Sequence, residues 1–367
     1  MKAFGTPRPA RQHVRHWAAT IAAGVFALGS MAMAVSSDAQ SVLDIRPSKT
    51  PLILQATGSF YVGGRTVPQT SQEIGLFSGG PIVVDQMYVE FMIPQKVTRS
   101  PLVLIHGGTL SGKSFETTPD GRMGWYEYFT RKGYPTYVVD QVGRGRSGFN
   151  QAPYNDVRAG SLPPAQQPNM RRVASDTALV RFRITDSESR KFSDSQFPVE
   201  AAAEFAKQAV PDLSEGLPQN DPNFEAVADL ATKLRGAILL GHSQAGRYPF
   251  EAALRAPSSV RALIAVEPAG CNSNVYSDSQ IATLAKSPIL IVFGDHLDAP
   301  QAAGVKWPDA YRDCLAFVGR VNAAKGKATM IHLPEFGVKG NSHMMMLDRN
   351  NLAIADMIMS WIARTVR

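Results

Sequence analysis

Residues Ala237 to Phe250 read AILLGHSQAGRYPF, an apolar run that stops at a serine set among small residues and restarts as a helix. The first part has the composition of a strand buried on both faces, and YPFEAALRAP, from Tyr248, carries apolar residues at helical spacing. Gly241 and Ala245 lie two positions either side of Ser243, so GHSQA approximates G-x-S-x-G with alanine in place of the second glycine. A serine on such a strand-to-helix turn adopts a strained backbone that lifts its Oγ clear of the sheet. What the flanking positions require is small size, which alanine supplies, and Gly246 eases the start of the helix. The N–H of Gln244 then lies at a helix N-terminus, aimed at an oxyanion. In a chain with 30 glycines the relaxed motif alone is weak; its strand-to-helix setting gives it weight.

Outward from this turn, strand-like and helix-like segments alternate. QMYVEFMIP, PLVLIHGG and YPTYVVDQ precede it as strands, and RALIAVEP, SPILIVFGD and KATMIHLP follow. Several are continuous apolar runs, as parallel strands covered on both faces should be. Between them GWYEYFTRKG, FEAVADLATKLRG, AYRDCLAFVGRVNAA and the final NNLAIADMIMSWIARTV read as amphipathic helices. The alternation predicts an α/β fold: a mostly parallel central sheet flanked by helices. Residues 149–222 break it, being polar and rich in Pro, Gln, Asp and Ser, with one helical patch, PVEAAAEFAKQAV. A stretch that long is read as a lid inserted into a domain spanning residues 40–367.

Residues 1–39 combine Lys2, Arg8, Arg11 and Arg15, an apolar stretch, and small residues before cut sites at Ala34 and Ala39. This predicts a secretory signal peptide and a periplasmic or secreted product, with no membrane association after cleavage. The formal charge of +7 falls to +4 without that segment, since four cations and Asp38 leave with it. The remaining cations are scattered, which argues against a nucleic-acid-binding face. Cys271 and Cys314 are the two cysteines, and in an exported chain they predict one disulfide. Neither has zinc or redox spacing, and no metal site is expected.

Ser243 needs a base. His13 and His16 leave with the leader, His242 adjoins the serine and should point away, His332 lies in a strand, and His106 enters the HGG loop. Of the remaining two, His296 and His343, the latter sits in FGVKGNSHMMML, after the last strand and before the last helix. In the chain order Ser…acid…His, this is where the base arrives over the serine. Three carboxylates compete for the acid. Glu267 ends ALIAVEP, and Asp295 ends ILIVFGD with Asp298 close by, both at the edge where open α/β sheets bind ligands. Position alone favours the later strand. Pro268, however, biases the backbone of Glu267 towards extended and so limits where its carboxylate aims. Phe115, Trp125, Phe149 and Tyr248 suggest an apolar substrate pocket.

In ETTPDGRMGWYEYFTRKGYPTYVVDQVGRGRSG, GHSQAG, VEP and GNSHMMMLDRNNLAIAD, the chain resembles α/β-hydrolases, and more closely the family of secreted bacterial esterases typified by esterase 713. The resemblance runs from about Phe60 to the C-terminus. It implies Ser243 as nucleophile, His343 as base and Glu267 as acid, with an acyl-enzyme intermediate on a small-molecule ester and no cofactor. The oxyanion would meet the N–H groups of Gln244 and of Gly108 in the HGG loop. An amidase, lactonase or peptidase would use the same triad, and a binding module would keep the sheet without the chemistry. Oligomeric state is left open, a dimer included.

Overall fold

The computed structural model describes residues 44–213, 221–300 and 306–366. The leader expected over 1–39 lies outside them. Eight strands form one sheet: β1 (Leu54–Gln69), β2 (Gly80–Pro94), β3 (Leu102–Ile105), β4 (Thr136–Asp140), β5 (Ala237–His242), β6 (Val260–Val266), β7 (Ile289–Phe293) and β8 (Ala328–His332). Their order is β1-β2-β4-β3-β5-β6-β7-β8. β2 pairs antiparallel with β1 and β4, and the other pairs are parallel.

The apolar runs explain this layout. Every residue of β3, β4, β5 and β7 is buried. Because side chains alternate across a sheet, each strand feeds two cores. Val103, Ile105 and Leu239 face one core with Phe224, Phe250 and Phe317, from helices Pro222–Lys233, Tyr248–Arg255 and Trp307–Ala323. Leu102, Leu104, Ile238 and Leu240 face the other with Trp125, Phe129, Ile358 and Trp361, from helices Trp125–Arg131 and Asn351–Thr365. Fully burying each such side chain contributes about 1.5–3 kcal/mol.

β1 escapes a reading based on apolar runs. Most of its residues are exposed, and it is held by a long antiparallel register with β2 from Leu54↔Pro94 to Gln69↔Gly80. The connection is a single helical turn, Ser71–Ile74. Its capping box is closed by the Glu73 N–H on Thr70 Oγ1 (3.2 Å) and the Thr70 N–H on Glu73 Oε2 (2.6 Å).

The insertion between β4 and β5 holds more structure than its composition announces. Its described part contains helices Ala152–Ala159, Ser175–Arg181 and Ala202–Ala206. No helix among the described residues is long and apolar enough to cross a membrane.

Candidate active site

Ser243 follows β5 directly, and its φ of 58° lies in the left-handed region. For a residue with a Cβ this conformation costs about 1–3 kcal/mol, so the surroundings must enforce it. They do so by close packing. A Cβ on Gly241 would fall 2.0 Å from the carbonyl oxygen of Ala245, and one on Gly246 2.6 Å from Pro268 Cβ. The sequence assigns Gly246 to easing the helix start, and the structure shows a steric need for glycine there as well. It lets the turn pack against the segment that carries Glu267, and the first turn itself is a 3-10 helix, Ser243–Arg247.

Glu267 follows β6, one strand over, and its side chain is fully buried. His343 Nδ1 lies 3.0 Å from Glu267 Oε2. With a carboxylate as partner, Nδ1 carries the proton and Nε2 is left as the basic nitrogen. The proline argument about Glu267 needs correction: its φ is 54°, left-handed rather than extended. Tertiary contacts override the bias before Pro268. The Glu267 N–H donates to the Val292 carbonyl (2.8 Å), and Gly294 N–H donates to Oε1.

A second partner of Glu267 has no sequence signal. Arg183, from the insertion, places a guanidinium nitrogen 2.6 Å from Oε1, with both side chains wholly buried. The Arg183 backbone is also left-handed, at φ 54°, and its Nε donates to the Asp295 carbonyl (2.8 Å). Burial would raise the Glu267 pKa, but Arg183 and the His343 hydrogen bond outweigh it and hold the carboxyl at about 2. Burial acts first on His343 too, lowering its pKa from 6.5. Glu267 opposes that shift, and Arg183 and Arg181 reinforce it. The imidazole is therefore neutral at pH 7.

The rest of the shell places the His343 ring. It stacks on Phe182 at 5.2 Å and contacts Trp307 at 4.4 Å and His242 at 4.7 Å. His242 is buried, and its Nε2–H donates to the His343 carbonyl (2.9 Å). Burial, with His343 close by, pulls its pKa down to about 3. Asp348 organises the loop, accepting the Ser342 N–H (2.8 Å), Ser342 Oγ (2.7 Å) and Asn341 Nδ2 (2.9 Å). Asp295 does not reach the imidazole: its Oδ2 accepts the Gly340 N–H (2.9 Å) and its Oδ1 the His296 N–H (2.7 Å). Asp298 is exposed.

Ser243, His343, Gln244 and Gly108 line one cavity of about 500 Å³, roofed by the insertion. His106, beneath the HGG loop, is buried, with Nδ1 2.8 Å from the Gly107 carbonyl and Nε2 accepting the Gln141 N–H (3.0 Å). Past Gly108, the Thr109 N–H donates to Asp212 Oδ2 (3.0 Å), and Asp212 is paired with buried Arg144 at 2.6 Å. The aromatic lining differs from expectation. Phe182 and Trp307 line this cavity. Phe115, Trp125 and Tyr248 belong to the cores, and Phe149 is exposed beside a separate cavity.

Cys271 and Cys314 form a disulfide, joining the loop after Glu267 to helix Trp307–Ala323. Asp313 on the same helix accepts the N–H groups of Cys271 (2.6 Å), Asn272 (2.8 Å) and Ser273 (2.9 Å).

A bacterial esterase solved at atomic resolution superposes on this chain with a TM-score of 0.82 and 43% identity, covering 88% of this chain and 99% of its own. The chain belongs to the α/β-hydrolases. A curated relative of this hydrolase, the probable secreted lipase phiG of Fungal sp. (strain ATCC 74256), is 25% identical over 362 residues, 85% of this chain and 95% of its own. No family model matches the sequence.

Proposed function

We propose that this hydrolase is an exported serine esterase in which Ser243, His343 and Glu267 act as nucleophile, base and acid. One observation carries the reading: the buried Glu267–His343 pair, 3.0 Å apart, opens onto the same cavity as the left-handed Ser243. The bacterial esterase and the secreted lipase among its relatives favour esters as substrates.

His343 Nε2 takes the proton from Ser243 Oγ as the oxygen attacks the ester carbonyl. Glu267 stays ionised, holds the Nδ1–H tautomer and stabilises the imidazolium. The backbone N–H groups of Gln244 and Gly108 receive the oxyanion, and losing one such donor costs about 3–4 kcal/mol of transition-state stabilisation. The imidazolium then protonates the departing alcohol. Water, deprotonated by the same nitrogen, releases the acid from the acyl-enzyme. The insertion over 149–222 serves as the lid, with Phe182 and Trp307 walling the acyl-transfer site.

Ser243→Ala tests this directly. The folded variant should lose about 10⁶ in kcat on a short-chain ester and resist labelling by a serine-directed phosphonate. Retention of a tenth of the wild-type rate would exclude Ser243 as the nucleophile.

A further inference from the structure

The cavity wall carries positive charge that the triad does not use. Arg181, the last residue of helix Ser175–Arg181, lines the cavity beside Phe182, Trp307 and His343. Its carbonyl accepts the Trp307 Nε1–H (3.3 Å), which fixes its backbone at the rim of the site. The side chain is partly buried, and no carboxylate among the described residues pairs with it. Its charged neighbour is another cation, Arg171, and burial together with that charge lowers its pKa. Arg172 lines the same wall. Among the described residues the one acidic side chain in the lining, Asp212, is engaged by Arg144 and the Thr109 N–H. Arg183 differs, because Glu267 neutralises it at 2.6 Å.

A partly desolvated guanidinium facing a cavity, with no carboxylate partner among the described residues, favours an anionic ligand. Resting on the esterase reading above, we propose that Arg181 selects esters bearing a carboxylate on the acyl part, such as half-esters of dicarboxylic acids. A guanidinium binds a carboxylate through two parallel hydrogen bonds, while Phe182 and Trp307 flank the intervening methylenes. The arrangement also bears on catalysis. Arg181 and Arg183 both disfavour a proton on His343, and that proton arrives when Ser243 attacks. A substrate carboxylate on Arg181 screens its charge during that step, so the selectivity extends to kcat as well as KM.

The test compares monoethyl esters of succinic, glutaric, adipic and suberic acid with ethyl esters of straight-chain monocarboxylic acids of matching length. For wild type, the best anionic ester should exceed its neutral counterpart in kcat/KM by about tenfold to a hundredfold, the range of a charge-assisted hydrogen bond. The ratio should shrink with added salt. In Arg181→Met, which keeps the apolar stem, it should fall to near one, and Arg181→Lys should retain part of it. Equal or better turnover of every neutral ester by the wild-type enzyme, or an unchanged ratio in Arg181→Met, would overturn the proposal with the esterase reading intact. Turnover of neither series with phosphonate labelling of Ser243 retained would overturn the carboxylate preference alone. Absence of both turnover and labelling would sink the two together.

Discussion

Replacing Arg183 by methionine separates the electrostatic support of the acid from the acid itself. In the folded protein Glu267 titrates at about 2 instead of 4.5. A shift of that size corresponds to about 3 kcal/mol of preference for the ionised form. The sign follows from the depressed pKa. This stabilisation is full above pH 4.5 and is lost as the pH falls towards 2. Removing Arg183 leaves a buried carboxylate with its main cation gone, a change that costs about 3–5 kcal/mol. Arg183→Met should therefore lower the urea-unfolding free energy at pH 7 by that amount. It should also flatten the stability profile between pH 4.5 and 2. His343 responds in the same experiment, because Arg183 is one of the charges lowering its pKa. The acid limb of kcat/KM should move to higher pH in the variant. Arg183→Lys, which keeps the charge without the planar fork, should fall between the two in both measurements. A loss below about 1 kcal/mol, no more than an exposed ion pair contributes, together with an unmoved limb, would refute the role assigned to this cation.

Other perturbations bear on the remaining parts of the site. Glu267→Gln should lower kcat by about 10⁴. Asp295→Asn and Asp298→Asn should lower it far less, and a collapse in Asp295→Asn alone would return the acid to β7. Cys271→Ser/Cys314→Ser should lose about 4 kcal/mol of stability, as expected for a crosslink spanning 43 residues, and denaturant titration will show it. Gly241→Ala, whose Cβ would overlap the Ala245 carbonyl, should cost about 1–3 kcal/mol and distort the serine turn, measured as lost thermal stability and slowed phosphonate labelling. Asp348→Ala should reduce kcat through a loosened histidine loop, with amide exchange accelerated at Ser342 and His343.

The parts that rest on local chemistry were legible before any coordinates. The parallel strands announce themselves as apolar runs because both faces are buried. The turn at Ser243 shows in the small residues around it, and the cysteine pair is the only pairing two cysteines allow. β1 left no such trace, since its stability comes from backbone pairing with β2 rather than from burial. Arg183, Phe182 and Arg181 lie in a polar stretch whose periodicity says nothing about the site 60 residues further on. A buried arginine is chemically the same letter as a solvated one, and only the fold reveals which carboxylate it meets. The left-handed backbone of Glu267 was hidden for a related reason. The preference imposed by Pro268 is local, whereas the contacts to Val292 and Gly294 that defeat it come from the next strand.

The burial of Arg183 against Glu267 limits how this protein can be rebuilt. Caps on a conserved chassis are attractive targets for chimeras, because they shape access and leave the reaction centre alone. Here the cap and the centre share a charge. Transplanting a foreign insertion onto this sheet would remove the counterion of the acid and the ring stacked on the base in one cut, whatever pocket it brought. A workable graft must carry an arginine two residues beyond the end of its second helix, where Arg183 stands, or be paired with a redesign of Glu267 itself. Redesign of the opening is safer at insertion residues that touch neither Glu267 nor His343, because Arg183 and Phe182 do.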